Sequence, residues 1–273
     1  MSTYLPFQAD KWQGFVLDDC HELADTSLDQ WLQEHTTKII KDFPLRTIAL
    51  YQRPDNKPSW YIKTLRGIGD QHQTFLASLK WRLRSSRAFH ILNISRELGE
   101  AGFLCPKVLL AARKREGGFL GNPTDLVITV AAPGRLVSNW LTGDDGLPRL
   151  NEAERHEMLA RIGQELAKIH QAGFVHGDCH PGNYFWQPGQ DGFCYIDNDR
   201  TQKYPRRNLS GAIRNMVSAG FFLLNSKHNR IQREEWQDIL EAYVTQADFT
   251  PAQHLAFYHG IEKALSKRLR RGK

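Results

Sequence analysis

The sequence predicts an α+β chain of two lobes, the first built on antiparallel strands and the second mainly helical. Three observations predict it. Two short β-rich runs, Thr47-Ile48-Ala49-Leu50-Tyr51 and Ser59-Trp60-Tyr61-Ile62-Lys63, flank the turn-rich Arg53-Pro54-Asp55-Asn56-Lys57-Pro58, which is the pattern of a hairpin. Ala131-Ala132-Pro133-Gly134 then breaks the chain. Beyond that break, apolar residues recur at helical spacing.

The elements follow in order. The hairpin places Lys63 near the end of its second strand. Residues 71–101 read as helical, with Ser86 starting a second segment that buries Phe89, Leu92 and Ile91. Ala101-Gly102 and the following Pro106 stop it. Further strands are expected at 108–113 and 126–130, with Glu116-Gly117-Gly118 and Gly121-Asn122-Pro123 marking the loops between them. The break at 131–134 divides an N-lobe (1–132) from a C-lobe (133–273). In the C-lobe, Asn151 caps a helix, with Glu154 placed for a capping box. Met158, Leu159, Ile162, Leu166 and Ile169 line that helix's buried face, and Gly173 ends it. Helices are expected at 208–225, 233–246 and 251–270. No internal repeat is present.

With 273 residues, 41% of them hydrophobic, the chain can bury a substantial core. Its N-terminus lacks the basic-then-apolar layout of a secretory signal. Its most apolar stretch, residues 216–224, is too short to cross a bilayer. A cytoplasmic protein is expected, or one peripheral on the inner membrane. Cys20, Cys105, Cys179 and Cys194 form no CxxC pair, so neither a zinc site nor a disulfide framework is suggested. The net charge of +6 suits an acidic partner, whether phosphorylated glycolipid, anionic membrane or nucleic acid.

The residues that carry chemistry lie in His176-Gly177-Asp178-Cys179-His180-Pro181-Gly182-Asn183 and in Tyr195-Ile196-Asp197. A phosphotransferase needs these groups in this order. Asp178 would accept the proton of an attacking hydroxyl as general base. Asn183 and Asp197 would hold magnesium, which prefers hard oxygen donors beside substrate phosphates. His176 would brace the loop by hydrogen bonding, and Pro181-Gly182 would turn Asn183 back toward the metal. A metallohydrolase using His176, Asp178 and His180 would need more ligands in a fixed cluster.

The loop resembles the catalytic loop of the protein-kinase-like superfamily, with His-Gly-Asp where protein kinases usually have His-Arg-Asp. Ile196-Asp197-Asn198-Asp199-Arg200 resembles the metal-binding segment of bacterial lipopolysaccharide core kinases. Ser86-Arg87-Ala88-Phe89, residues 98–102 and Cys105-Pro106-Lys107 resemble the same family's N-lobe helix and following strand. The resemblance spans about residues 45–225. It implies a two-lobed protein-kinase-like fold. It also implies ATP- and Mg2+-dependent phosphorylation of a hydroxyl on heptose or 3-deoxy-D-manno-octulosonic acid in the lipopolysaccharide core, or on a related glycolipid. Lys63 matches the family's strand lysine, which contacts the α- and β-phosphates of the nucleotide.

Two departures stand against it. Ile91 occupies the place of the helix glutamate that would pair with the lysine, so Lys63 would pair elsewhere, with Asp197 or Asp199. No G-x-G-x-x-G loop precedes the hairpin, so Lys38 and Lys41 or other backbone amides would cover the phosphates. These departures leave a non-catalytic pseudokinase open. A small-molecule phosphotransferase resembling aminoglycoside or choline phosphotransferases shares the His-Gly-Asp-x-His-x-Gly-Asn loop. Such enzymes usually carry a larger helical lobe than the about ninety residues that follow the loop here. Lys63, Arg66, Lys80, Arg82, Arg84, Arg87 and Arg96, with Trp81 among them and only Asp70 against them, form a basic stretch suited to a phosphorylated glycolipid. The basic C-terminal run from Lys263 to Lys273 suits an anionic leaflet. No nucleic-acid partner is expected.

Overall fold

The computed structural model describes residues 3–24, 27–54, 57–66, 85–116, 122–225 and 230–272. The expected helix over 71–84 lies outside the described residues, as do Asp70, Lys80, Trp81, Arg82 and Arg84. The chain divides into two compact units, residues 1–97 with 106–131, and residues 98–105 with 132–273.

The first unit is a seven-stranded antiparallel sheet. Its strands are β1 (Tyr4–Ala9), β2 (Trp12–Leu17), β3 (Lys38–Phe43), β4 (Arg46–Tyr51), β5 (Trp60–Arg66), β6 (Val108–Glu116) and β7 (Asn122–Val130). They lie in the order β1-β2-β6-β7-β5-β4-β3. Alternation along the strands sends side chains to two cores. Trp60 and Ile62 of β5 join Leu126 and Ile128 of β7 and Leu28 and Trp31 of helix α1 (Leu28–His35) on one face. Leu65 and Val127 pack on the other face with Ala88, Ile91 and Leu92 of α2 (Arg87–Glu100). The start of α2 is anchored from β7. Buried Asp125 accepts Ser86 Oγ–H and Arg87 N–H, each at 2.8 Å, and pairs with Arg113 at 2.7 Å.

Three local expectations change. Lys63 sits mid-strand, because β5 runs on to Arg66 while paired with both β4 and β7. The strands expected to stop short of the glycine loops extend to Glu116 and Asn122. Pro123 is tolerated because it lies at the start of β7, where a missing N–H costs little. The N-terminal strands β1 and β2, helix α1 and β3 add to the hairpin and were not anticipated.

The second unit is mainly helical. Its helices are α3 (Val137–Thr142), α4 (Glu152–Gln171), α5 (Leu209–Leu224), α6 (Arg233–Ala247) and α7 (Pro251–Arg271). α4 begins with the Asn151–Glu154 capping box that its sequence predicts. α4 and α6 cross closely at Gly163, where a Cβ would meet Ile239 O at 2.2 Å. Short strands lie between the helices: β8 (Arg135–Leu136), β9 (Phe174–Val175), β10 (Tyr184–Trp186), β11 (Cys194–Tyr195) and β12 (Gln202–Lys203). β8, β10 and β11 form one small sheet, and β9 pairs with β12. No described helix is long and apolar enough to cross a membrane.

Candidate active site

Asp178, Asn183 and Asp197 come together in the second unit, and one imidazole joins the segments that carry them. His176 is buried, and its two ring nitrogens face different partners. Nδ1 accepts the Asp178 N–H at 3.1 Å, so Nε2 carries the proton and donates to Ile196 O at 2.9 Å. The ring thus fixes the backbone at Asp178 on one side and next to Asp197 on the other. Burial lowers its pKa, which keeps it neutral in this bridging role. The His176 backbone is itself clamped. Its N–H donates to Asn215 Oδ1 at 2.9 Å, and its carbonyl accepts Asn215 Nδ2–H at 2.7 Å.

The Asn183 side chain donates Nδ2–H to the Asp178 carbonyl at 2.8 Å, and the Asn183 backbone carbonyl accepts the Ile196 N–H at 3.0 Å. Using Nδ2 this way leaves Oδ1 as the atom with lone pairs for a cation. Asp197 adopts a left-handed backbone, φ 59°, at the entrance to a 3₁₀ turn over Asn198–Arg200. A non-glycine residue held there is strained, and its surroundings must impose that conformation. Asn198 supports the turn by donating to Tyr195 O at 2.9 Å. Gly177 lets this segment approach the loop, since a Cβ would lie 2.1 Å from Arg200 Cβ. That contact is a physical reason for Gly where protein kinases usually carry Arg.

Asp178 is half exposed and has a partner that sequence reasoning did not assign. His180 Nδ1 accepts the Gly182 N–H at 3.1 Å, which leaves Nε2–H facing Asp178 Oδ2 at 3.4 Å. The His180 contact holds the Asp178 carboxyl at about 2, against a smaller upward push from burial. The carboxylate is therefore ionised at neutral pH, as a proton acceptor must be.

The model of the lipopolysaccharide kinase (Kdo/WaaP) family matches residues 29–243. The chain belongs to this family. It is a kinase, a phosphotransferase of lipopolysaccharide core synthesis. Its fold is similar to the solved structure of WaaP in complex with acyl carrier protein, at TM-score 0.64 and 12% identity, over 93% of this chain and 96% of that one. At that identity the likeness speaks for the fold. A search of curated proteins finds no matching relative.

In this lipopolysaccharide kinase, Lys63 belongs to the first unit. It pairs with Ile48 and Val127 across the sheet and alternates onto the face of Leu65, the face that α2 covers. Ile91, at the place of the helix glutamate, is buried in that same cluster. Among the described residues, no group of three or more His, Cys, Asp and Glu is arranged to hold a metal. The donor set on offer is the smaller one of a carboxylate and an amide oxygen, hard donors that fit magnesium when phosphates and water complete its shell.

Sequence reasoning also missed the support beneath the loop. Asn215 Oδ1 accepts His170 Nε2–H at 2.9 Å, and His170 Nδ1 accepts the Tyr243 hydroxyl at 2.9 Å. A chain of polar groups therefore runs from α6 through α4 and α5 to the loop that carries Asp178. The signal available in the sequence was an asparagine at the edge of the most apolar stretch of the protein.

Proposed function

We propose that the kinase transfers the γ-phosphoryl group of ATP to a hydroxyl of a lipopolysaccharide core sugar or related glycolipid, with Asp178 as the base that orients and deprotonates that hydroxyl. The observation that carries this reading is the His176 imidazole, bonded at once to Asp178 N–H and Ile196 O. This bridge holds the candidate base and the candidate metal-binding segment in fixed register. Such preorganisation is the main lever available for phosphoryl transfer.

Asn183 Oδ1 and Asp197 would hold a magnesium ion, which when bound neutralises charge on the nucleotide phosphates. Lys63 would bind the α- and β-phosphates. The strand-rich residues 1–132 and the helical residues 133–273 serve as nucleotide and catalytic lobes in this proposal. His180 Nε2–H keeps the Asp178 carboxylate ionised and oriented for the incoming hydroxyl.

Peripheral contact with the anionic inner membrane belongs to the same reading. Lys263, Lys267, Arg270 and Arg271 are exposed on α7 and share one side, opposite buried Phe257, Ile261 and Leu265. Each contributes about 1 kcal/mol of attraction close to an anionic surface.

The test compares core lipopolysaccharide from cells with and without the protein by mass spectrometry. A phosphate-sized mass loss without it, restored by wild type but not by Asp178→Ala, is expected. Restoration by a folded Asp178→Ala variant would sink the assignment of the base.

A further inference from the structure

In the first unit, β3, β4 and β5 pair in register around Ile48. Ile48 faces Lys41 on one side and Lys63 on the other. Two residues back along β4, Arg46 faces Phe43 and Leu65; two residues on, Leu50 faces Lys38 and Tyr61. Side chains alternate along a strand, so Lys38, Lys41, Arg46 and Lys63 all stand on the face of Leu65. A bulge in β3 makes this possible. Residues three apart on a regular strand point to opposite faces. The register of β3 shifts between Ile39 and Lys41, and the extra residue returns Lys41 to the face of Lys38. Bulges are over-represented beside active sites, where they re-aim a side chain.

The acidic side chains nearby are committed elsewhere. Asp42 of β3 falls on the other face, where it accepts Thr47 Oγ1–H at 2.7 Å and lies 3.8 Å from Arg66. Asp125, opposite Leu65 in the Arg46 row, is paired with Arg113 at 2.7 Å. The cluster through which α2 packs takes Leu65 and Val127 but, among the described residues, nothing from β3 or β4. Lys38 and Lys41 are exposed, and Arg46, Ile48 and Lys63 are half-buried. With strands about 4.8 Å apart, Lys41 and Lys63 stand about 10 Å from one another across β4. Arg46 is the diagonal neighbour of both, about 7–8 Å away, within reach of long side chains. Its guanidinium lies 5.9 Å from the centre of the Phe43 ring, which steadies it along the hairpin.

We propose that this face seats the polyphosphate of the nucleotide and that Arg46 is a nucleotide-positioning residue. With Lys41 and Lys38 it supplies, by side-chain charge, the phosphate cover that a glycine-rich loop supplies through backbone amides. Like charges gathered on neighbouring strands repel one another, and a polyanion seated among them turns that repulsion into attraction. The planar guanidinium grips two oxygens of one phosphoryl group, while the lysines act as point charges at the exposed edge. A triphosphate spans the triangle of Lys41, Arg46 and Lys63; a single phosphate does not. The proposal rests on the kinase reading above and deepens it, since it names the residues that hold the nucleotide besides Lys63.

Isothermal titration of the full chain with inorganic tripolyphosphate and with inorganic phosphate tests it. Saturable binding of tripolyphosphate is expected, at least roughly 10-fold tighter than that of phosphate. Arg46→Gln should weaken it roughly 10- to 100-fold and Lys41→Gln roughly 10-fold. Arg66→Gln, on the opposite face of the same sheet, should leave it unchanged. Lys41 is exposed on an edge strand, so its variant remains informative if Arg46→Gln fails to fold. In the transfer reaction, Arg46→Gln should raise the KM for ATP roughly 10-fold or more while the KM for the acceptor holds; a merely structural role would not divide the two. Absence of saturable tripolyphosphate binding, or equal weakening by Arg66→Gln and Arg46→Gln, overturns the seat even if phosphate transfer is intact. Binding that follows the expected pattern in a protein that transfers no phosphate overturns the kinase mechanism and leaves the seat standing.

Discussion

Replacing Asn215 with Leu tests the idea that the catalytic loop is held from below. Asn215 is 5% exposed and serves three buried groups: the His176 N–H, the His176 carbonyl and His170 Nε2–H. Leucine has the same branched shape and number of side-chain heavy atoms but offers neither donor nor acceptor. Three buried polar groups then lose their partner. At about 1–3 kcal/mol each, and with partial relaxation, a loss of about 3–6 kcal/mol follows. That is a large share of the about 5–15 kcal/mol that holds a typical domain together. Asn215→Asp keeps the acceptor but loses the donor to the His176 carbonyl and sets a carboxylate oxygen against it in a buried site, so it should cost at least about 1–3 kcal/mol. Urea unfolding of both variants gives the stabilities, and initial rates of phosphate transfer on the folded protein give the effect on the loop. Misplacing the Asp178 backbone by even about 1 Å should lower turnover roughly 100-fold. If Asn215→Leu loses less than about 1 kcal/mol and turns over as wild type, the clamp does not position the loop.

Three other outcomes follow from the same structure. His170 is fully buried and its pKa falls to about 4 from the ordinary 6.5 through desolvation. The unfolded chain therefore binds more protons between those values, and stability falls with pH across that window. From pH 7 to pH 5 the loss from this residue alone is about 2 kcal/mol, with His176 adding in the same direction; urea titrations at the two pH values check it, and a His170→Gln variant should show a shallower dependence. Gly177→Ala forces a Cβ against Arg200 Cβ and the Arg200 carbonyl carbon, at 2.1 and 2.7 Å. Overpacking of this kind costs about 1–3 kcal/mol, and because the displaced segment carries Asp197, the transfer rate should fall further than the melting temperature suggests. Asp125→Ala leaves Arg113, 12% exposed, without its carboxylate and uncaps α2, so thermal or urea unfolding should report a loss of about 3–5 kcal/mol.

The sequence made the outline of the candidate site legible because each chemical group sits in a short, ordered motif. Loop residues 176–183 and the segment beginning at Ile196 could be read as parts of one apparatus without knowing any distance. Asn151 and Glu154 announced the start of α4 for the same reason, since a capping box is local. What escaped was non-local. Asn215 meets His176 39 residues away in sequence, and Tyr243 meets His170 across 73. No periodicity reports such pairings. In the sequence His180 figured only as a ligand of the metallohydrolase alternative, and the folded loop brings its Nε2 beside Asp178. The edge strands β1 and β3 were hidden for another reason. Every residue of Lys38–Phe43 is exposed, so the half-buried alternation that marks a strand is missing there.

The isoleucine at the place of the helix glutamate gains meaning from this division. Ile91 is buried with Leu65, Val108, Ala111 and Val127, on the sheet face to which Lys63 also belongs. A glutamate there would need the lysine's charge to offset desolvation in an apolar cluster. Isoleucine removes that demand and lets α2 pack by contact alone, while Asp125 supplies the polar anchor at its first turn. The missing carboxylate is therefore a substitution within the packing of the first unit. The imidazole bridge, the Asn215 clamp and the His180 contact that orient Asp178 all lie within the second unit, and none of them passes through α2. Under the roles proposed for Lys63 and Asp178, the physical consequence is a separation of effects: a change at Ile91 should act on nucleotide affinity, and a change at Asn215 or His180 on the transfer step itself.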